Sequence, residues 1–477
     1  MNFFSICVYI CLSRNDKLRE TLEKRYFYCE KEVVMKFIHT ADWHLGNTMH
    51  DIDRTRETEA FLEWLKTEIA SLGAEVLVIA GDIFDVVNPS NAAKKQYYKF
   101  LASLLATKCS NVVIVGGNHD SGALLDAPAE IFEALNIKVV GSINNRNVDD
   151  LVVELKDTQG NAIGICCAVP FMRNLELEQF YKADNTERAA NDDSDSDEDL
   201  LKRLYADVYR RAVELRGDRE IPIIATGHLY ASNLSGRGSE DGENAAAASK
   251  SENATVPETS IDDGVREVIG TLGNVDVEVF PQELDYVALG HIHYTSMVAK
   301  NPKVRYSGSP FVMGFDEANC KRYVLCVDVA SNGNPSVEKI EVPKTVRFEQ
   351  FKGDVESLKR ALRNLEKELL ANPMETYVDL LLTSGEFVSL NEALEVEETG
   401  KHFVVKRHRI SRDVLRKGVS GFGDCVESTK QYTKEDYFKM LIASNLNENE
   451  NSEQVKTQYD KFISLFNEAV NKAHETV

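Results

Sequence analysis

Cysteine is used too sparsely in this 477-residue chain to carry its structure. The nine cysteines are scattered without a C-x-x-C pair, and the adjacent Cys166 and Cys167 fall in the apolar run NAIGICCAVP. This usage is typical of a reducing cytosol and not of a disulfide framework. It also argues against a metal site made of thiolates.

Positive charge is also in deficit. Lys and Arg number 55 against 77 Asp and Glu, which gives a net charge of −22. A chain of this charge is not a generally basic nucleic-acid binder. DNA stays open as a substrate, because metal ions and one local basic patch can hold a phosphate backbone.

A membrane-spanning run is missing near the N-terminus. The apolar stretch Phe3–Leu12 is too short to cross a bilayer, has no basic residue before it and is followed by no small-residue cleavage site. Met35 directly precedes the first predicted strand, so we expect the protein to start there and residues 1–34 to lie upstream of it. The alternative is an amphipathic extension. No membrane association is expected.

What the chain does have is a set of apolar strands that end in polar, metal-ligating residues. The clearest is Val76–Asp85, VLVIAGDIFD, an unbroken apolar run that predicts a strand buried on both faces. Amphipathic helical segments at 54–71 and 91–106 separate the first strands, which predicts βαβ units and an α/β fold. Open α/β sheets hold ligands at the carboxyl ends of their strands. The other four runs are KFIHTADWH (36–44), NVVIVGGNHD (111–120), IPIIATGH (221–228) and DYVALGHIH (285–293).

Seven side chains at these strand ends form the predicted site for two divalent cations. Asp82 suits the bridging position, because an anion between two cations offsets their repulsion. Imidazole, carboxylate and amide ligands together favour Mn²⁺ over Fe²⁺, Zn²⁺ or Mg²⁺. Such a pair polarises a phosphoryl oxygen and generates hydroxide. The predicted ligands are Asp42, His44, Asp82, Asn118, His228, His291 and His293.

His119 is the histidine left over at the predicted site. It follows the ligand Asn118 and could either donate a proton to a departing sugar oxygen or stabilise the charged transition state, so it is the predicted catalytic residue. Asp120 is expected to orient His119 or its loop. Asp85 is expected to contact the metal ligands without binding a metal itself. His39 lies inside the first strand and is expected to be structural.

Beyond residue 340 the pattern changes to a small α+β module. Asp354 is expected to cap a helix with leucines on one face, followed by strands at 376–382 and 402–410 with a short helix near 390–396 between them. Lys406, Arg407, Arg409 and Arg412 fall in its basic stretch and are candidates for DNA contact, as is Arg173 near the predicted site. The alternative for the basic stretch is a strand edge that charge protects from aggregation.

Two other segments carry no predicted chemistry. The run NDDSDSDED (191–199) and the Ser-, Gly- and Ala-rich stretch 235–263 are expected to be loops. The last residues predict a helical hairpin with an aromatic stripe. Its own core is too small, so it should dock either on a partner or on the preceding module.

The motifs D-x-H, G-D, G-N-H-D, G-H and G-H-x-H resemble those of the calcineurin-like metallophosphoesterases. The longer stretches HTADWHLG, GDIFDVVNPS, GNHDS, YVALGHIH and VRYSGSP are similar to the SbcD family, the nuclease subunits of bacterial SbcCD exonucleases. The resemblance implies a calcineurin-like core of β-sheets flanked by helices over 35–340. The chain departs from the family pattern at residues 1–34, which precede the family's usual start, and at two expected insertions, about 184–199 and 235–263. It further implies a DNA-contacting capping domain over 341–420 and a partner-binding helical segment over 430–475.

The activity that the resemblance implies is a Mn²⁺-dependent DNA nuclease. It would be a 3′–5′ double-strand exonuclease and a single-strand and hairpin endonuclease, acting in DNA repair, recombination and replication in the cytoplasm, at the nucleoid. The implied partner is an SbcC-like ATPase of the ABC type with a long coiled coil. A homodimer within a heterotetramer is also implied, with helix 91–106 as its expected contact.

Two other functions remain open from the residues. The first is a phosphoesterase for small phosphodiesters or phosphoproteins, for which the C-terminal module and hairpin have no evident use. The second is a non-catalytic scaffold, which would not need His119 or seven ligands. Activity on an aryl phosphodiester without activity on DNA would favour the first, and partner binding without metal uptake would favour the second.

Overall fold

The computed structural model describes residues 33–183, 196–232, 273–384 and 401–411. Predictions for residues 1–32, 191–195 and 235–263, a short helix near 390–396, Arg412 and the 430–475 segment lie outside these ranges. The chain divides into two compact units, Met1–Thr345 and Val346–Val477. Among the described residues, none of the helices has the length and apolarity needed to cross a bilayer.

The first sheet of the first unit has six strands among the described residues. They are β1 (Met35–Thr40), β4 (Val76–Ala80), β5 (Asn111–Val115), β6 (Ile137–Val140), β15 (Tyr323–Val329) and β16 (Ser336–Glu341). Their order is β16-β15-β1-β4-β5-β6. Strands β1, β4, β5 and β6 are parallel neighbours, whereas β15 pairs antiparallel with both β1 and β16. The four parallel strands therefore have their carboxyl ends at one edge.

The second sheet also has six strands. They are β7 (Val152–Lys156), β8 (Ala162–Cys167), β9 (Ile223–His228), β12 (Tyr286–Gly290), β13 (Ser296–Met297) and β14 (Val304–Tyr306). Their order is β13-β14-β12-β9-β8-β7. Strands β8, β9, β12 and β14 are parallel, so this sheet too presents carboxyl ends at one edge. Two short pairs form outside these sheets: β2 (Thr48–Met49) with β3 (Ile52–Asp53), and β10 (Tyr230–Ser232) with β11 (Asn274–Asp276).

Successive side chains of a buried strand point to opposite faces of the sheet, which explains why the sheet has a core on each face. Val76 and Val78 join a core shared with the second sheet, whereas Leu77 and Ile79 join a core shared with the helices on the other face. A strand buried on both faces needs such an unbroken apolar run. These helices are α1 (Thr55–Leu72) and α2 (Asn91–Leu104), followed by the short α3 (Gly122–Asp126) and α4 (Ala129–Glu133).

The acidic run departs from the loop prediction at its end. After α5 (Asn174–Ala183) comes α6 (Asp197–Arg216), which packs on the second sheet. Ser196 and Asp199 form a reciprocal capping box that starts α6, so residues 197–199 are helical. Carboxylates in a first helical turn are stabilised by the helix dipole, which charge counting alone does not reveal. The other helix and strand predictions inside the described ranges are confirmed to within a few residues, and with them the α/β class.

The described residues of the second unit, 346–384 and 401–411, form a three-stranded parallel sheet and one helix. The elements are β17 (Arg347–Gly353), α7 (Val355–Ala371), β18 (Thr376–Leu382) and β19 (Val404–Ile410), with the strands in the order β17-β18-β19. Asp354 caps the helix as predicted, because its carboxylate accepts the amide of Ser357 at 2.8 Å. The leucine stripe of α7 packs against the central strand and forms a separate core.

Candidate metal centre

The carboxyl ends of five strands, three from the first sheet and two from the second, bring all seven predicted ligands together. Asp42 and His44 follow β1, Asp82 follows β4, and Asn118 follows β5. His228 is the last residue of β9, and His291 and His293 follow β12. Asn118 and His291 are partly exposed, and the other five ligands are buried. The two sheets therefore share one polar cluster at their common edge.

One half of this cluster contains His44, His293 and Asp42. The Nε2 atoms of His44 and His293 are 3.3 Å apart. Asp42 Oδ1 accepts the amide of His291 at 2.9 Å, whereas its buried Oδ2 has no hydrogen-bond partner among the described residues. Ligand atoms of Asp42, His44 and His293 all lie within 4.8 Å of one another, as a shared cation requires.

The other half contains Asn118, His228 and His291. Asn118 Oδ1 lies 2.9 Å from His228 Nε2 and 3.0 Å from His291 Nδ1. Asp82 stands between the halves, since its Oδ2 is 3.6 Å from His44 Nε2 and 3.4 Å from His228 Nε2. This is the position that a bridging carboxylate would occupy.

The residues present fit a divalent cation. His228 Nδ1 donates to the carbonyl of Ala80 at 2.9 Å, so a neutral His228 has a bare lone pair on Nε2. That nitrogen faces Asp82 Oδ2 and Asn118 Oδ1, and both of these are acceptors. Acceptors that converge in a buried site need a proton or a metal ion between them. The orphaned Oδ2 of Asp42 points to the same conclusion.

The carboxylates and imidazoles of the site shift one another's pKa values. Burial alone would lower the pKa of His228, but the Asp82 and Asp42 carboxylates outweigh it and raise the pKa to about 9. Burial raises the pKa of Asp42 to about 7, despite the opposing effect of His228. Neighbouring imidazoles hold the pKa of Asp82 below its usual range in spite of burial. Burial lowers the pKa of His291 to about 4 and also lowers the pKa of His293, which leaves both neutral and able to ligate.

Metal uptake is therefore expected to depend on pH. Proton and cation compete for His228 Nε2, so affinity should rise with pH up to the His228 pKa of about 9. We expect about a tenfold rise per pH unit from pH 7 to 9, and a steeper dependence below the Asp42 pKa of about 7. Calorimetry with Mn²⁺ in buffers of different ionisation enthalpy would count the protons released. An affinity that is flat from pH 7 to 9 would contradict this.

Backbone strain and close packing hold the ligands in place. Asp42, His44, Asp82 and His291 all have positive φ, between 44° and 99°, which non-glycine residues adopt rarely. Gly117 allows close approach, because a Cβ there would lie 2.2 Å from both the amide nitrogen and Oδ1 of Asp82.

Gly117→Ala is expected to displace Asp82 and weaken Mn²⁺ binding about tenfold or more, with a loss of about 1–3 kcal/mol in unfolding free energy. The added methyl cannot fit without moving the Asp82 backbone. Gly333→Ala is the matched control, since its Cβ would meet nothing closer than 3.6 Å. Titration calorimetry and thermal unfolding would check both variants. Equal metal affinity in the two would contradict the role of Gly117.

His119 is held at the edge of the ligand cluster. Its Nδ1 donates to the carbonyl of Asp85 at 2.8 Å, and its amide donates to Asp82 Oδ1 at 2.9 Å. The Asp85 carboxylate also lies 3.4 Å from His44 Nδ1 and accepts from Asn47 at 2.9 Å. His119 therefore keeps Nε2 available for chemistry, and Asp85 connects it to the ligand His44.

Asp120 orients the backbone around the site through hydrogen bonds to amides. Its carboxylate accepts the amides of Gly117, Ile83 and Phe84 at 2.9 to 3.1 Å. These bonds tie the loop after β5 to the loop after β4. His39 is structural as expected, since its two ring nitrogens contact the Tyr286 hydroxyl and the Leu289 carbonyl inside the core.

The predicted DNA contacts fall in different settings. Arg173 is exposed, just before the start of α5. In the second unit, Arg409 forms an ion pair with Asp379, which is fully buried, and Arg407 lies 3.7 Å from the same carboxylate. Much of their charge is thus already compensated. Lys406 lies over the Tyr377 ring, at 5.5 Å, on the edge strand of the described sheet.

Sequence reasoning missed supporting residues that come from distant segments. Ser309 Oγ donates to the carbonyl of Asp42 at 2.8 Å. The motif VRYSGSP contains Ser309, but its pattern predicts only a strand and a turn. Asn47 follows His44 by three residues, and no pattern in the sequence indicates its bond to Asp85.

Comparison with known proteins agrees with this geometry. The family model described as calcineurin-like phosphoesterase matches residues 35–295. The chain is 30% identical over 437 residues to the D subunit of the nuclease SbcCD from Escherichia coli (strain K12), covering 89% of this chain and 96% of that protein. The same protein of Rhodobacter capsulatus is 30% identical over 65% of this chain and 70% of its own length. For the Bacillus subtilis protein of this name, the identity is 28% over 62% of this chain and 66% of its own length.

Proposed function

Because this chain belongs to the calcineurin-like phosphoesterases and, within them, to the SbcD family, we propose that it is a two-metal nuclease that cuts DNA. It is a metal-dependent phosphodiesterase. One observation carries the proposal: Asp82 Oδ2 stands between His44 and His228, with a set of candidate ligands on either side. The names of the curated relatives supply the substrate class, nucleic acid.

The proposal assigns ligands to each of the two cations. One cation would be held by Asp42, His44 and His293. The other would be held by Asn118, His228 and His291, and Asp82 would contact both. Mixed imidazole, carboxylate and amide donors favour Mn²⁺. When bound, the cations supply Lewis acidity at the phosphoryl group and a hydroxide nucleophile.

The chain's own residues would do the rest of the chemistry. The backbone carbonyl of Asp85 fixes the His119 ring through Nδ1, so Nε2 is the nitrogen left for proton transfer. Protonated on both nitrogens, His119 can donate its Nε2 proton to the departing sugar oxygen. Asp120 keeps the loop after β5 in register with the loop that carries Asp82.

The proposal also includes a partner protein and an oligomeric assembly. We propose that an SbcC-like ATPase of the ABC type with a coiled coil is the partner, that segment 430–475 binds it, and that two copies of this chain pair through helix α2 in a heterotetramer. The second unit would act as a capping domain, with Lys406 as the least compensated of its described candidates for phosphate contact. Action in the cytoplasm at the nucleoid, in repair, recombination and replication, follows from the same family proposal.

Cleavage of labelled DNA tests the proposal directly. The full chain would be incubated with Mn²⁺ and linear duplexes labelled at the 3′ or the 5′ end, and with a hairpin. We expect 3′ label to be released first as small products and the hairpin to be cut. The reaction is run with and without an SbcC-like partner and ATP. Hydrolysis of bis-p-nitrophenyl phosphate without any DNA cleavage, even with partner and ATP, would replace DNA by a small phosphodiester as substrate.

A further inference from the structure

His293 is a candidate ligand that lies on irregular backbone. Strand β12 ends at Gly290, so the backbone of residues 291–295 has left the sheet ladder before it reaches the site. His228, by contrast, is still inside a strand. A ligand on irregular backbone needs other bonds to fix it.

Those bonds converge on the carbonyl oxygen of His293. It accepts the amide of Ser309 at 3.1 Å and Nη1 of Arg322 at 2.6 Å. Arg322 is 6% exposed, and its guanidinium also forms an ion pair with Glu317, which is 5% exposed. The backbone of His293 is thus held by a buried ion pair.

Glu317 extends the same network to the residue after His293. Its carboxylate accepts the Tyr294 hydroxyl at 3.1 Å and the amide of Met313 at 2.8 Å. Arg322 also lies over the Tyr294 ring, at 5.3 Å. The Arg322–Glu317 pair therefore binds both the backbone at His293 and the side chain at Tyr294.

This pair is costly to bury if stability were its only use. Desolvation of two charges offsets most of their attraction, and apolar residues of the same volume often serve as well. An apolar residue cannot donate to the His293 carbonyl. The planar guanidinium can reach that carbonyl and a carboxylate at once, which a lysine ammonium does not reproduce.

We propose that Arg322, braced by Glu317, is a positioning residue for His293 and thereby sets the cation affinity of the half-site formed with His44. The proposal rests on the two-metal function above. Its consequence is local: loss of Arg322 weakens one cation of the pair, and leaves the half formed by Asn118, His228 and His291 able to bind.

Arg54 provides a matched control. It is 3% exposed, its Nε pairs with Glu57 at 2.7 Å, and its Nη1 donates to the carbonyl of Val312 at 2.6 Å. The chemistry is the same as at Arg322, but Val312 is not a candidate ligand. Loss of either arginine should destabilise the fold, and only loss of Arg322 should affect cation binding.

The experiment compares Arg322→Met, Arg322→Lys, Glu317→Gln and Arg54→Met with the wild-type full chain. Mn²⁺ binding is followed by calorimetry, metal content after dialysis by mass spectrometry, and folding by circular dichroism and thermal unfolding. We expect wild type and Arg54→Met to retain two Mn²⁺. Arg322→Met should retain one tightly and bind the second about 10–100-fold more weakly, with Arg322→Lys and Glu317→Gln in between.

The possible results separate the two proposals. Two tight Mn²⁺ in every folded Arg322 variant, or equal weakening in Arg54→Met, would overturn the positioning role and leave the proposed function intact. A wild-type chain that binds no Mn²⁺ would count against the two-metal function itself. If Arg322→Met fails to fold, Arg322→Lys and Glu317→Gln decide the question.

Discussion

Asp82→Ala is expected to abolish the binding of a cation pair and to reduce DNA cleavage by about 10³-fold or more, since a lost Lewis acid costs several kcal/mol of transition-state stabilisation. Asp82 lies close to both histidine sets, 3.6 Å from His44 Nε2 and 3.4 Å from His228 Nε2. Without its charge, the repulsion between two cations is far less offset. Calorimetry with Mn²⁺ and a duplex-cleavage assay measure the two effects separately.

Asp82→Asn removes the negative charge of the side chain and keeps its shape. Asparagine keeps an oxygen that can accept the His119 amide, which Asp82 Oδ1 accepts at 2.9 Å. If the charge is what matters, Asp82→Asn should lose nearly as much metal and activity as Asp82→Ala while it unfolds at a higher temperature.

Asp285 supplies the control for burial. It is 1% exposed, and its carboxylate accepts the amides of Ile223 and Asn332 at 2.9 and 2.7 Å, but it belongs to none of the candidate metal groups of the described residues. Asp285→Asn should lower stability and leave Mn²⁺ affinity unchanged. Full cleavage by Asp82→Ala, or metal loss in Asp285→Asn, would contradict the bridging role of Asp82.

The sequence was informative where strands are buried on both faces. VLVIAGD and its four counterparts combine an apolar run with a polar residue at its end, so the pattern predicts both the strand and the edge on which its side chain acts. All seven candidate ligands come together for this reason. The positive φ angles of Asp42, His44 and Asp82 could not be predicted, because they arise from packing between segments and not from local preference.

The surrounding support could not be predicted either. The bond from His119 to the Asp85 carbonyl joins residues 34 apart, and that from Arg322 to the His293 carbonyl joins residues 29 apart. Both use backbone acceptors, which every residue has, so no residue pattern marks them. In the second unit, Arg409 is indistinguishable in sequence from a free surface arginine, yet it pairs with a buried aspartate, Asp379. The two residues meet because β18 and β19 pair in one particular register, which the sequence does not indicate.

His119→Ala is the second large effect and should separate chemistry from metal binding. We expect both cations to stay bound and the rate of DNA cleavage to fall by about 10²–10⁴-fold, the usual contribution of a positioned acid. The reason is that the ring is held by Asp85 through Nδ1, which leaves Nε2 as the nitrogen for proton transfer. His402→Ala, in the second unit and half-exposed, is the control for removal of an imidazole.

A change of substrate distinguishes proton donation from other roles of His119. A p-nitrophenolate departs readily without a proton. A sugar alkoxide is far more basic and needs a proton in order to depart. His119→Ala should therefore impair hydrolysis of bis-p-nitrophenyl phosphate much less than cleavage of DNA. Equal losses on both substrates would mean that His119 stabilises charge and does not act as the acid. Loss of a cation would place His119 among the ligands, as its position within 4.8 Å of the ligand atoms of His44 and Asp82 permits.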